Sequence, residues 1–393
     1  MRNTIKILLG ILLVVIIVTP YLGPGCGNSW RPSSPMGAEF GLVEEAWLAI
    51  LEDYVDSENF DRTKLSQGAI RGMIEALNDP YTTYLDKEQY QISRQSLEGS
   101  FGGIGAEVTA DRNGQIIIVA PIIGTPAQRA GIMSGDRVLA IDGESTEGMS
   151  MIQAILKIRG KPGTEVTLTI LHEEGETPED VIITREEIKL TSVTAKMLSG
   201  GIAHIEVYYF SSHTGSDFIS ALTGVLQNEA KGIVLDLRDN PGGVLSGAVD
   251  IASQFLKEGV VVMVSNGDEP KEVWEVEKGG LATDAGFPLA VLINGASASA
   301  SEVVAGALQD HGRAEIIGTT SLGKGTVNHF RQLSDGSAIY ISIARWHTPE
   351  GRRIEGQGII PDQFVEMTPE DIEEGRDPQL ERAIEYVRNT GKT

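Results

Sequence analysis

The stretch Leu289-Ala-Val-Leu-Ile-Asn-Gly-Ala-Ser-Ala-Ser-Ala-Ser-Glu302 decides the fold. Its first five residues are all apolar, without the alternation of a half-exposed strand, so they read as a strand buried on both faces. Asn294-Gly295 breaks the run, and a helix is expected from Ser299 to Leu308. A buried strand that turns straight into a helix is the repeating unit of an α/β layer. The same succession recurs nearby. Strands are expected at Ile202–Val207, Gly232–Leu237 and Val260–Val264, and helices at Ser216–Asn228 and Ser246–Phe255. Residues 189–367 therefore read as one α/β core.

Working towards the N-terminus, the pattern changes. Between residues 97 and 188 short strands dominate: Gln115–Val119, Arg137–Ile141, and Glu165–Leu171 with strict alternation. Helices are expected at Thr125–Gly131 and Ser150–Ile158. Five or six strands and two helices make a small, partly open barrel. Residues 38–96 have helical spacing, with Val43, Ala46, Trp47, Ile50, Leu51 and Tyr54 three and four apart, and a second helix expected at Lys64–Leu77 before Asn78-Asp79-Pro80. Residues 28–37 form a Pro/Ser-rich linker, and residues 368–393 an acidic and then helical tail that is expected to dock. Arg2 and Lys6 precede an apolar run from Ile7 to Val18, too short for a comfortable membrane span, so residues 1–27 read as an export signal or membrane anchor. Cys26, the single thiol, stands just beyond it, where lipoprotein signals place a cysteine, although Pro24 and the position of Leu22 fit that pattern poorly.

Composition removes several functions. Lys plus Arg is 32 against 55 Asp plus Glu, a net charge of −23, so no broad cationic face awaits nucleic acid. A hydrophobic share of 41% with 22% charged residues excludes bulk disorder. One cysteine excludes an internal disulfide framework and a cysteine-based metal site. The six histidines form no His-Glu-x-x-His pattern, and neither a metal nor another cofactor is expected.

Three segments of the α/β core carry chemistry. A serine at a strand-to-helix turn is held exposed beside unpaired backbone N–H groups and a helix dipole, which can stabilise an oxyanion. One serine would suffice to cap a helix, yet three alternate with alanine at Ser297, Ser299 and Ser301. Gly318-Thr-Thr-Ser-Leu-Gly-Lys-Gly-Thr-Val327 places Lys324 between glycines. Burial there would favour its neutral form and make it a usable base. The same loop matches the start of a phosphate-binding loop, but Gly325 replaces the required Ser or Thr and a strand follows instead of a helix. Asp236-Leu-Arg-Asp-Asn-Pro-Gly-Gly243 offers backbone N–H groups at another strand end.

These segments, with Asp79-Pro-Tyr-Thr-Thr-Tyr-Leu85, stand in the order and spacing of the carboxyl-terminal processing peptidases, or tail-specific proteases, which the chain resembles from about residue 40 to 366. The resemblance implies a ClpP/crotonase-like α/β serine peptidase core with an inserted PDZ domain and a helical N-terminal region. It implies a Ser–Lys dyad with Ser299 as nucleophile and Lys324 as general base, and an oxyanion hole from the N–H of Ala300 and of Gly242 or Gly243. The family usually has Gln four residues after the lysine; here Asn328 stands there, one methylene shorter, as a third member that orients the lysine. Phe101-Gly102-Gly103-Ile104-Gly105-Ala106 resembles the carboxylate-binding loop of the PDZ domain, with Ile104 and Val108 against an apolar last side chain and Arg159 placed to couple that domain to the core. The implied partners are proteins with exposed apolar C-terminal tails, outside the cytoplasm and near a membrane through the N-terminal segment. The N-terminal helices and the acidic tail are candidate surfaces for a homodimer. The competing reading is a PDZ-containing peptide binder whose dyad has decayed, motivated by Asn328.

Overall fold

The computed structural model describes residues 38–56, 61–110, 114–172, 177–266 and 270–391. Cys26 and the apolar leader lie outside them. The chain divides into two compact units at Tyr84/Leu85. The first holds the helices α1 (Ala38–Asp53) and α2 (Arg62–Glu75). Asp61 caps α2 by accepting from the amides of Thr63 and Lys64. Along α1 and just after it, Val43, Ile50 and Tyr54 are exposed among the described residues, whereas their spacing alone predicts a core face.

Strand β1 (Thr83–Leu85) leads into the second unit. There α3 (Lys87–Glu98) ends on Gly99 in a left-handed conformation. Then come β2 (Ser100–Gly103), β3 (Ala106–Ala110), β4 (Ile116–Pro121), α4 (Pro126–Arg129), β5 (Arg137–Ile141), β6 (Glu144–Ser145), α5 (Met151–Ile158), β7 (Glu165–Leu171), β8 (Glu179–Thr184) and β9 (Glu186–Lys189). An antiparallel sheet runs β3-β4-β5-β7-β8, with β6 on β5, while β2 pairs separately with β9. The alternation of β7 sends Val166, Leu168 and Ile170 into a core with Ile116, Ile118, Ile141 and Ala154. Ser150 and Gln153 close α5 with a capping box. β3 is the sheet's edge, and α5 packs beside it.

The remainder contains β10 (Val193–Leu198), β11 (Ile202–Val207), α6 (Thr214–Gln227), β12 (Gly232–Asp236), α7 (Leu245–Ser253), β13 (Val260–Ser265), β14 (Pro270–Glu275), β15 (Leu289–Ile293), α8 (Ala300–Asp310), β16 (Glu315–Gly318), β17 (Thr326–Gln332), β18 (Ala338–His347), β19 (Gln363–Phe364), α9 (Pro369–Glu374) and α10 (Pro378–Thr390). The main sheet has the order β10-β11-β12-β15-β16-β19, parallel except for β10. Its central strands are apolar throughout because both faces are covered. Ile233, Leu235, Val291 and Ile293 meet α6, α7 and α8 on one face. Val234, Ala290, Leu292 and Ile317 meet Ala383 and Val387 of α10 on the other. The expected docked tail is thus a layer of the core. Outside this sandwich, β18 pairs with β17 along its length and with β13 at its end.

Candidate active site

Ser299 is the last residue before α8 and lies at φ 54°, ψ −114°. Side chains other than glycine avoid that region, so the turn is strained and must be held by its surroundings. The flanking serines hold it. Ser297 Oγ donates to the Leu237 carbonyl at 2.8 Å and Ser301 Oγ to the Asn240 carbonyl at 2.9 Å. The Ala298 amide donates to Asn240 as well, and Asn294 and Asp239 join through two further hydrogen bonds of 2.8 and 3.0 Å. The three serines therefore do different work: two lash the turn to the loop after β12, and the middle one is left over. Ser299 is fully buried, and its Oγ is one of four buried side-chain polar atoms among the described residues without a hydrogen-bond partner.

The loop after β12 presents its glycines to this turn. A Cβ on Gly242 would stand 2.6 Å from the Ala298 carbonyl oxygen and 2.8 Å from Ser299 Cβ, so only glycine fits. The Gly242 amide donates to Asn240 Oδ1 at 2.8 Å. The amides of Gly243 and Ala300 donate to no acceptor among the described residues. Of the two glycines the sequence left open, Gly243 is the one with a spare N–H, and Ala300 opens α8 with its own.

Lys324 sits between β16 and β17 with 5% of its surface exposed, and its Nζ lies 5.3 Å from the centre of the Tyr340 ring. Gly325 beside it could not carry a side chain, since a Cβ would meet the Glu355 nitrogen at 2.1 Å. The chain continues into β17, not a helix, which is incompatible with a phosphate-binding loop. Asn328 is buried on β17. Its Oδ1 accepts from Thr326 Oγ1 at 2.9 Å and its Nδ2 donates to Ser342 Oγ at 3.0 Å.

One residue the sequence reading passed over joins the two segments. Glu302 is fully buried in the first turn of α8. One oxygen accepts from the amides of Ser299 at 2.7 Å and Lys324 at 3.0 Å; the other accepts from Gly323 at 2.6 Å and Ser321 Oγ at 2.5 Å. Burial pushes its carboxyl upward, against these four donors. The signal was present: Ser299-Ala-Ser-Glu302 has the spacing of a capping box.

A second site lies beside β3. A groove of about 390 Å³ is lined by Phe101, Ile104, Gly105, Ala106, Glu107, Val108, Ile122, Ile155, Ile158, Arg159 and Leu190. The amides of Ile104 and Gly105 at its end donate to nothing among the described residues. Gly102 and Gly103 are not part of the lining. They pair with β9, and Gly102 lets the backbone of Gly160 approach, where a Cβ would stand 2.0 Å from its oxygen. Arg159 stacks over Phe101 at 3.7 Å and donates to Gln95 of α3 at 2.9 Å; burial lowers it to about 10. No group of three or more metal-ligating side chains occurs among the described residues. No helix among them is long and apolar enough to cross a membrane.

Residues 201–365 match the profile of peptidase family S41, residues 117–171 that of a PDZ domain, and residues 28–89 that of the activating protease CtpB N-terminal domain. The chain is 35% identical over 372 residues to the carboxy-terminal processing protease CtpA of Bacillus subtilis, covering 93% of this chain and 78% of that one. It is 38% identical over 358 residues to a carboxy-terminal-processing protease of Bartonella bacilliformis, covering 90% and 79%. Among solved structures, the photosystem II D1 C-terminal processing protease aligns at 28% identity and a TM-score of 0.49, covering 86% of this chain and 96% of that one.

Proposed function

The chain belongs to the carboxy-terminal processing proteases, serine peptidases of family S41 with a PDZ domain, and we propose that it cuts proteins selected by their C-terminal tails through a Ser299–Lys324 dyad. The observation that carries the reading is the buried, unpartnered Ser299 hydroxyl at a strained turn, tied through Glu302 to the loop of a buried lysine. In this mechanism neutral Lys324 takes the hydroxyl proton while Ser299 Oγ attacks the scissile carbonyl. The oxyanion that forms is received by the spare amides of Gly243 and Ala300, and Gly242 keeps them in place. The lysine then protonates the leaving amine, giving an acyl-enzyme. Water attacks it with Lys324 again as base, and the acid leaves. Asn328 shapes the wall behind the lysine through Thr326 and Ser342.

The groove beside β3 receives the tail. An extended peptide adds as a strand to that edge, its carboxylate at the Ile104 and Gly105 amides. Arg159 spans the groove and α3, and so is placed to pass its occupancy to the peptidase core. The basic start and apolar run of the leader support export to the cell envelope.

The test is cleavage of an unfolded protein with an apolar C-terminus by the wild type, Ser299→Ala and Lys324→Ala, with chelator and without nucleotide. Cutting by the wild type alone is expected. If Ser299→Ala or Lys324→Ala cuts like the wild type, the dyad reading falls; if none of the three cuts while the tail still binds, the chain is a peptide-binding protein or an enzyme that awaits an activator.

A further inference from the structure

The groove beside β3 is apolar except for two charged side chains, and they differ in one respect. The Arg159 guanidinium is engaged with Phe101 and Gln95. The Glu107 side chain makes no hydrogen bond or ion pair among the described residues, while its backbone pairs with β4. A half-buried carboxylate in an apolar groove loses hydration without compensation, and burial pushes this one upward. A cation supplied by a ligand would relieve it.

Strand register says where that cation must sit. A tail that lies antiparallel to β3 with its carboxylate at Ile104 and Gly105 places its last residue opposite Ala106 and its next-to-last residue opposite Glu107. Side chains alternate between the two faces. The last side chain therefore follows Ala106 and Val108 towards Ile155 and Ile158 of α5, and the next-to-last follows Glu107. The register shift of β3 against β4 falls after Glu107, beyond this pair. Directly opposed residues of opposite charge stabilise a strand pair.

We infer that Glu107 is a specificity-determining residue that selects tails with Lys or Arg next to last, followed by an apolar terminal residue. This rests on the reading that the groove takes a chain end. The net charge of −23 acts in the same direction at long range.

The experiment measures fluorescence anisotropy of labelled decapeptides ending in Lys-Leu, Ala-Leu or Glu-Leu on the full chain carrying Ser299→Ala, so that nothing is cut. The Lys-Leu tail is expected to bind about fivefold more tightly than Ala-Leu, with Glu-Leu weakest. Glu107→Gln removes the difference and Glu107→Lys reverses it, and added salt weakens the discrimination. If all three tails bind equally, or the preference survives in Glu107→Gln, while C-terminal amidation still abolishes binding, the role of Glu107 is overturned and the groove reading stands. If amidated and free tails bind alike, or no tail binds, the groove reading fails and takes this inference with it.

Discussion

Glu302 shows how much of the candidate site rests on a residue that never touches a substrate. Four donors converge on its two oxygens, and a neutral amide would turn two N–H bonds towards at least one of them. Glu302→Gln is expected to cost about 2 kcal/mol or more of stability and to lower kcat about a hundredfold, because the serine turn and the lysine loop lose their common anchor. Thermal unfolding and the cleavage rate of one substrate read both effects. Gly242→Ala differs in kind: its Cβ would press on Ser299 itself, so the rate is expected to fall by at least about a hundredfold. The serine-rich turn after a buried strand and the glycine-flanked lysine stood out as segments in the sequence, but the choice of Ser299 and Lys324 within them came from the family resemblance. Glu302 was not singled out, since an acidic residue in a first helical turn is common for reasons of capping alone. Nor could the sequence choose between Gly242 and Gly243, because the choice depends on where the Asn240 side chain turns.

The small antiparallel sheet adds a titration at the end away from β3. His172, just after β7, lies 2.7 Å from Asp136 and 2.9 Å from Glu179 of β8, and its hydrogen bonds to the two carboxylates raise it. A raised folded value means stability that is fully present below the unfolded histidine range and lost as pH rises through the folded value. His172→Gln is therefore expected to lower the unfolding temperature at pH 5.5 and to have little effect well above neutrality; equal effects at both would refute the account. Elements of this region were legible in outline. The alternation of β7, the Pro126 start of α4 and the Ser150 cap of α5 all lie where local rules put them. The helix expected over Lys64–Leu77 instead spans Arg62–Glu75, because the side chain of Asp61 opens it earlier. The stripe on α1 had the right period for a helix, but period does not say whether anything covers the face.

At the scale of the molecule, the order of the strands could not be read from the chain, because periodicity reports burial and not neighbours. The place of α10 was equally hidden. Its side of the sheet is completed by residues far away in sequence, and a buried cluster fixes it there. Arg238 donates to Asp236 and to Asp377, 139 residues apart from it, while His204 Nε2 lies 2.9 Å from Asp236. Burial alone would raise both aspartates, but the hydrogen bonds and charge of Arg238 outweigh it and hold them low. A lowered folded value means stability present above the unfolded carboxyl range, near pH 4, and lost as pH falls below it. Arg238→Ala is expected to destabilise by about 3 kcal/mol between pH 5 and 8, and the deficit should shrink below pH 4; a deficit independent of pH would refute the ion cluster as its cause. Arg238 stands directly before the loop that carries Gly242 and Gly243, so the latch and the glycine that is proposed to receive the oxyanion share one stretch of chain. This sets a timetable for biosynthesis. When the nucleophile turn and the lysine loop have both emerged from the ribosome, the face that α10 will cover is still bare and Arg238 still lacks Asp377. A nascent or truncated chain thus holds both residues of the proposed dyad while the sheet face under α10 is still bare.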